Sequence, residues 1–268
     1  MGLTYPEIRE LLSARERGAS FDRTLTIGRQ NIYVRRAEAR RLPSQPPPFG
    51  EHGEEFLCDL LGIRDLQSVD ASDFEGATLI HDLNRPLAVE QEFDAVIDGG
   101  SLEHIFSVPV ALANYMRALK VGGTLFISTT ANNLCGHGFY QFSPELIFRA
   151  LSRSQGFEIH RVLLIEHRYP GIELAPAKRV VSVCDPAETG DRIPLVSRRP
   201  IMVDVLAEKT RHLPEPFTDS PQQSDYAAQW RTGRARPRRL MVPRRVIGMR
   251  QLVRASLRNG RFYRRADL

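Results

Sequence analysis

The apolar positions change period several times along the chain, and each change marks an element. Thr4-Tyr5-Pro6-Glu7 places a hydroxyl and an acid as a capping box does, and Ile8, Leu11 and Leu12 then share one face of a helix that Gly18 ends. Residues 24–27 read as a buried strand running into Gly28. Residues 35–50 are basic and then contain PSQPPPFG, which excludes regular structure and predicts an inserted loop or flap. Phe56, Leu57, Leu60 and Leu61 give a helix over 54–61 one apolar face. Short apolar strands come next at 66–69, 77–80, 93–97 and 124–129. A helix separates the last two, with Ser107 at its cap, Pro109 in its first turn, and Leu112, Met116 and Leu119 at helical spacing. Ser143-Pro144 opens another helix carrying Leu146, Ile147, Ala150 and Leu151, and strands at 158–165, 179–183 and 201–207 close the body.

Strands that alternate with helices imply an α/β class: a Rossmann-like, doubly wound, mostly parallel sheet covered on both faces. The late strands have little helix between them, which implies an antiparallel C-terminal edge. From about residue 210 the chain turns polar and proline-rich, then arginine-rich. The expected organisation is therefore an α/β domain over 1–209, with 35–50 inserted in it, and a tail over 210–268.

The net charge of +5 is unevenly spread: residues 231–268 hold 13 Arg, no Lys and one acid, Asp267, a net of +12, which leaves −7 on the rest. A segment like 231–265 suits a polyanion or an acidic membrane surface. No stretch approaches the roughly 18 apolar residues of a transmembrane span, and the first residues form no signal peptide, so a cytoplasmic protein is expected. Cys58, Cys135 and Cys184 are odd in number and widely spaced, giving neither a disulfide framework nor a zinc pattern.

In an open parallel sheet, ligands bind beyond the carboxyl ends of the strands, so the residues there carry the candidate chemistry. Gly28 comes after the first strand and permits a tight turn or close approach to a ligand; a plain turn glycine fits as well. Asp70 comes after the second strand, where a carboxylate can accept both hydroxyls of a ribose; a helix cap or turn aspartate is the alternative. It lies 42 residues after Gly28 rather than the usual roughly 20, and the proline-rich insertion accounts for the excess. Asp82 comes after the third strand and could accept from an adenine amino group with Leu83 against the ring, or serve a turn. After the fourth strand, Gly99 and Gly100 permit close approach, and Glu103 and His104 face the cleft mouth. After the fifth, "TTANNLCGHGFYQFSPE" gathers Asn132, Asn133, His137, Tyr140 and Gln141, much hydrogen-bonding capacity for a loop without a ligand.

Taken together, these segments resemble the class I methyltransferases that use S-adenosylmethionine, over about residues 21–208. "FDAVIDGGSLEHIF" is similar to the family's fourth-strand segment, F-D-x-V and then L-E-H-[VI]. "MRALKVGGTLFIST" is similar to the entry to its fifth strand, with Val121 in place of the more usual proline. "FSPELI" with "GFEIHRV" is similar to the family's next helix and its sixth strand. The subgroup is similar to methyltransferase-like proteins of bacterial glycan gene clusters. By this resemblance Gly28 falls in the cofactor loop, Asp70 at the ribose acid and Asp82 at the adenine acid. Two departures stand out: the family's G-x-G is "GRQ" here, and only "ASDFEG" joins the second and third strands where a full helix is usual. Arg29 or Gln30 would supply a side chain to the cofactor's carboxylate, and Gly28, Arg29, Gln30, Asp70, Asp82, Leu83 and Gly99 make up the expected cofactor site.

The resemblance implies methyl transfer to an oxygen or nitrogen nucleophile of a small-molecule or glycan acceptor. The donor is already activated, so the protein must align the reacting atoms and remove a proton. His104 and His137 are the candidate bases, and Asn132, Asn133, Tyr140 and Gln141 the acceptor binders; nothing in the sequence requires a metal. Two other functions fit: a methyltransferase-like protein that binds without turnover, and a nucleic-acid methyltransferase that uses the basic tail.

Overall fold

The computed structural model describes residues 2–168, 171–232, 257 and 260–266. In chain order the elements are β1 (Gly2–Thr4), α1 (Tyr5–Glu16), β2 (Arg23–Ile27), β3 (Asn31–Tyr33), α2 (Arg36–Ala39), α3 (Glu54–Leu61), β4 (Asp65–Asp70), β5 (Leu79–Ile80), β6 (Phe93–Gly99), α4 (Val108–Ala118), β7 (Leu119–Asn132), α5 (Pro144–Ala150), β8 (Phe157–His167), β9 (Ala177–Val183), α6 (Pro186–Thr189), β10 (Ile201–Lys209), α7 (Ser224–Thr232) and β11 (Tyr263–Arg265). Local chemistry sets the helix starts. Glu7 Oε2 accepts from the Thr4 backbone N–H at 2.9 Å and from the Thr4 hydroxyl, closing the capping box of α1. Ser143 Oγ accepts from the Leu146 amide at 3.3 Å at the start of α5.

Among the described residues, nine strands form one sheet in the order β11-β9-β8-β10-β7-β6-β2-β4-β5. Neighbours from β5 to β7 are parallel, as the alternation of strands and helices predicts. The antiparallel part comes at the C-terminal side: β9 pairs with β8 and with β11, and β10 lies inside the sheet, antiparallel to both β7 and β8. This is a doubly wound α/β sheet. The pleat sends alternate side chains to opposite faces. Leu25, Ile27, Val96, Leu125 and Val203 pack with Leu112, Tyr115 and Met116 of α4 and Ile147 of α5. Ala95, Ile97, Phe126 and Leu206 pack on the other face with Ile8 and Leu11 of α1 and Phe56, Leu57 and Leu60 of α3. Each such buried side chain contributes about 1.5–3 kcal/mol of transfer free energy.

Contacts cross the boundary expected at residue 210. Residues 211–232 pack on the body: Glu145 accepts from the Ser224 amide at 2.6 Å, and the Asp219 carbonyl accepts from the Gln155 amide at 3.1 Å. Residues 260–266 return to the sheet, with Tyr263 opposite Val183 and Arg265 opposite Val181. Leu257, Phe262 and Tyr263 are buried in the same cluster as α4 and α5. The arginine run hid a few apolar residues, and these supply the surface that docks the segment. Residues 233–256, 258–259 and 267–268, with most of the predicted basic tail, lie outside the described residues. No helix among the described residues is long and apolar enough to cross a membrane.

Because Phe262 is fully buried, Phe262→Ala should lower stability by about 3–5 kcal/mol. Urea unfolding monitored by circular dichroism measures this; an unchanged midpoint would show that the segment does not belong to the core.

Candidate functional site

Three strand ends converge on Gly28. Its φ of +66° suits glycine, and its amide donates to the Val69 carbonyl at 2.7 Å, holding the end of β2 against β4. A Cβ placed on Gly28 would lie 3.7 Å from Asp70 Oδ2 and 3.8 Å from Ser101 Oγ, so the bare Cα leaves a small cradle between the ends of β2, β4 and β6. Asp70 Oδ1 accepts from the Ala71 amide at 2.6 Å, while Oδ2 faces the cradle.

The turn after β6 is fixed from beneath. Asp98 is fully buried; its Oδ1 accepts from the Ser101 amide at 2.6 Å and its Oδ2 from the Tyr115 hydroxyl of α4 at 2.9 Å. Burial, and then the charge of Glu103, raise its carboxyl from 3.8 to about 7. Ser101 Oγ donates to the last carbonyl of β2, that of Ile27, at 2.8 Å, which ties β6 to β2 above the sheet.

The altered loop is occupied by its own side chains. Gln30 is buried, and its amide nitrogen donates to the carbonyls of Ile27 at 2.7 Å and Gly28 at 3.2 Å. A Cβ on Gly99 would lie 2.2 Å from Gln30 Oε1, so the close approach that Gly99 permits is that of this amide. Arg29 turns sideways, donating to Glu54 at 2.6 Å and to the Glu75 carbonyl at 2.9 Å. Arg29, Gln30 and Gly99, expected to contact a cofactor, thus have partners within the protein in this structure. The insertion explains the rest: the chain leaves at Gln30 and returns at Gly53, whose amide donates to the Gln30 carbonyl at 3.0 Å. Helix α3 consequently starts beside the loop despite the long excursion. Within that excursion β3 pairs with β1 in a separate two-stranded parallel sheet.

Asp82 is exposed and serves its own turn, accepting from the Asn84 amide at 2.9 Å and the Asn84 side chain at 2.8 Å. These bonds, the backbone one first, hold its carboxyl below the usual range. Leu83 points into the core rather than outward.

Beyond Ser101, a short 3₁₀ turn (Leu102–His104) carries Glu103 and His104. Glu103 is fully buried; its Oε2 accepts from the Thr129 hydroxyl of β7 at 2.7 Å, while Oε1 has no hydrogen-bond partner and lies 3.7 Å from His137 Nε2. The rings of His104 and His137 are 5.2 Å apart. Burial is the main reason the His104 imidazolium is disfavoured, with His137 adding to it and Glu103 opposing it.

The loop that presents His137 is seated on this turn. The Phe139 amide donates to the Glu103 carbonyl at 2.8 Å, and a Cβ on Gly138 would come within 2.7 Å of the same oxygen. Asn133, at a φ of 59°, donates to the carbonyls of Ser197 at 2.7 Å and Arg199 at 2.8 Å. Gln141 accepts from the Leu134 amide at 2.8 Å, and the Tyr140 hydroxyl donates to the Phe106 carbonyl at 2.8 Å. Asn133, Tyr140 and Gln141, expected as acceptor binders, therefore hold the loop in shape. Asn132 ends β7 opposite Ile201. Phe106 and Phe139 are exposed, in edge-to-face contact at 5.8 Å.

Gly28 and Asp70, together with the two histidines, thus share the carboxyl side of the sheet, linked through the Ser101–His104 turn. Sequence reasoning missed Asp98, Ser101 and Thr129. Only Asp98 left a signal, an acid directly after the apolar run Ala95–Ile97.

No family model and no curated protein matches this chain. Several solved structures have a similar chain path. A SAM-dependent methyltransferase of Thermotoga maritima, a possible histamine N-methyltransferase, is 15% identical over 76% of this chain and 89% of its own, with a TM-score of 0.42. The YcgJ protein of Bacillus subtilis is 13% identical over 78% of this chain and 100% of its own, with a TM-score of 0.46. Phosphoethanolamine N-methyltransferase 2 of Haemonchus contortus, solved with phosphomonomethylethanolamine and S-adenosylhomocysteine, is 14% identical over 76% of this chain and 53% of its own, with a TM-score of 0.43.

Asp98 makes the site sensitive to pH. Its folded-state value of about 7 lies above the ordinary 3.8, so the unfolded chain releases the proton first and stability falls as pH rises from about 4 to about 7. The full effect is on the order of 4 kcal/mol. Asp98→Asn, with the Tyr115 hydroxyl turned to accept, should flatten the dependence of the urea midpoint on pH between about 5 and 8; an equal slope in both proteins would place the sensitive group elsewhere.

Proposed function

We propose that the chain transfers a methyl group from S-adenosylmethionine to an oxygen or nitrogen nucleophile of a small-molecule or glycan acceptor. One observation carries the reading: the Gly28–Asp70–Ser101 cradle and the Glu103–His104–His137 cluster lie at two ends of one turn on one side of the sheet. The cradle fits the nucleoside end of such a donor. Gly28 lacks a side chain where a sugar would approach, and Asp70 keeps one oxygen toward that space.

When bound, the sulfonium donor supplies a methyl group already activated for displacement. The residues of this chain do the rest. Asp70 accepts the ribose hydroxyls. His137 or His104, its charged form disfavoured in the case of His104, takes the proton of the acceptor at a ring nitrogen. Glu103, held by Thr129, steadies the imidazolium that forms at His137. Phe106 and Phe139 offer apolar faces at the mouth, suited to the flat side of a sugar ring.

A second reading has Arg29 behind it. With its guanidinium on Glu54 and the Glu75 carbonyl, Arg29 offers no free charge to a donor's carboxylate, as in a protein that binds without turnover. Association of the arginine-rich segment with a polyanion or acidic surface also stands as a proposal. Of that segment Arg265 lines, with Arg41, Lys178 and Arg179, a groove of about 820 Å³ at the far edge of the sheet.

Calorimetry with S-adenosylhomocysteine tests the donor site, and turnover with an acceptor then separates the two readings. Binding should be detectable, and Asp70→Ala should weaken it by about 1–3 kcal/mol, the cost of leaving buried hydroxyls unpaired. Binding equal to that of the parent would remove Asp70 from the site. Once an acceptor is found, His137→Ala or His104→Ala should lower kcat about 10²- to 10⁴-fold with little change in donor affinity; full kcat in both would exclude the histidines as bases.

A further inference from the structure

We propose that Glu103, His104 and His137 form a binding site for a divalent cation of the zinc type. One ligand atom from each lies within 4.8 Å of the other two. Some point is therefore no farther than about 2.8 Å from all three, and shifts of less than about 1 Å would bring each atom to the 2.0–2.2 Å of zinc–nitrogen and zinc–carboxylate bonds.

Three features distinguish this from a chance gathering of surface groups. Glu103 is fully buried, and its Oε1 has no hydrogen-bond donor. A buried carboxylate oxygen without a partner is costly, and a cation in front of it removes that cost. The other oxygen is held by the buried Thr129 hydroxyl at 2.7 Å, the kind of outer hydrogen bond that fixes a ligating carboxylate. Finally, the loop bearing His137 is anchored to Glu103 itself through Phe139 and the close approach of Gly138. Next to His137 on the other side, an added Cβ on Gly136 would meet nothing within 4 Å, so the loop has room for the small movement that closure needs.

Two imidazoles and one carboxylate favour zinc, or iron and cobalt, over magnesium, which prefers oxygen ligands throughout. Three protein ligands leave a position open toward the exposed side, where both histidines stand. The site rests on geometry alone; its role rests on the methyl-transfer reading. In that role the two histidines act as ligands in place of the base, and the open position takes the nucleophilic oxygen or nitrogen of the acceptor. The acceptor's O–H or N–H bond breaks with its electron pair kept on the bound atom, and the proton leaves to water.

The test needs neither donor nor acceptor, so its failure would leave methyl transfer untouched. The full chain, stripped with a chelator, is titrated with zinc chloride by calorimetry and, in parallel, with Co²⁺ by visible absorption. One ion per chain should bind, with d–d bands of a four- or five-coordinate site. Affinity should fall about tenfold or more in His104→Ala, His137→Ala and Glu103→Gln, and stay unchanged in Cys135→Ser and His160→Ala. The exposed histidines can be removed without disturbing the core, so they decide the matter even if Glu103→Gln fails to fold. Absence of binding to the parent overturns the proposal, as does binding that survives both histidine variants or depends on Cys135.

Discussion

The carboxylate of Asp98 accepts from the Ser101 amide and the Tyr115 hydroxyl, and both halves of the candidate site depend on the turn it holds. Through Ser101 the turn reaches the end of β2 and borders the Gly28 cradle. Through Glu103 and His104 it reaches β7 and the loop of His137. Burying a carboxylate is unfavourable, and the raised titration of Asp98 records this. Two donors offset that penalty and fix one geometry. A hydrophobic residue in its place would leave the Ser101 amide and the Tyr115 hydroxyl without an acceptor.

Steric room is the second constraint. Gly99 lies under the Gln30 amide and Gly138 against the Glu103 carbonyl, at separations no side chain permits. Both glycines come from segments the sequence marks as ligand-facing, yet the partner in each case is the protein. Glycine at a strand end signals that something comes close; it does not say what. Arg29 and Asp82 illustrate the same ambiguity for charged groups, since one binds Glu54 and the other its own turn.

Much of the fold was legible because long periodic segments carry their own signal. Residues 54–61 buried the four predicted side chains, and the apolar strands at 93–97 and 124–129 became β6 and β7. The missed elements are those without a period. Strands β1 and β3 have three residues each, α2 has four, and α7 lies in a stretch dominated by polar residues. At the site, the strand-end rule pointed to Gly28, Asp70 and His137, which the fold brings to one side of the sheet. It could not foresee that Gln30 packs on Gly99 or that Asn133 reaches Ser197, because such pairings depend on how distant segments meet.

The position of β10 has a kinetic consequence. It occupies the gap between β7 and β8, pairing along most of both strands. Until residues 201–209 arrive, β7, 14 residues long and largely buried in the finished fold, offers an open edge on a partly built sheet. Such an edge is a template for pairing with another chain, and the long loops that parallel strands must close delay its covering. Nascent or destabilised molecules are therefore most vulnerable to aggregation at one place, the flank of β7, and insertion of β10 is the event that ends the exposure.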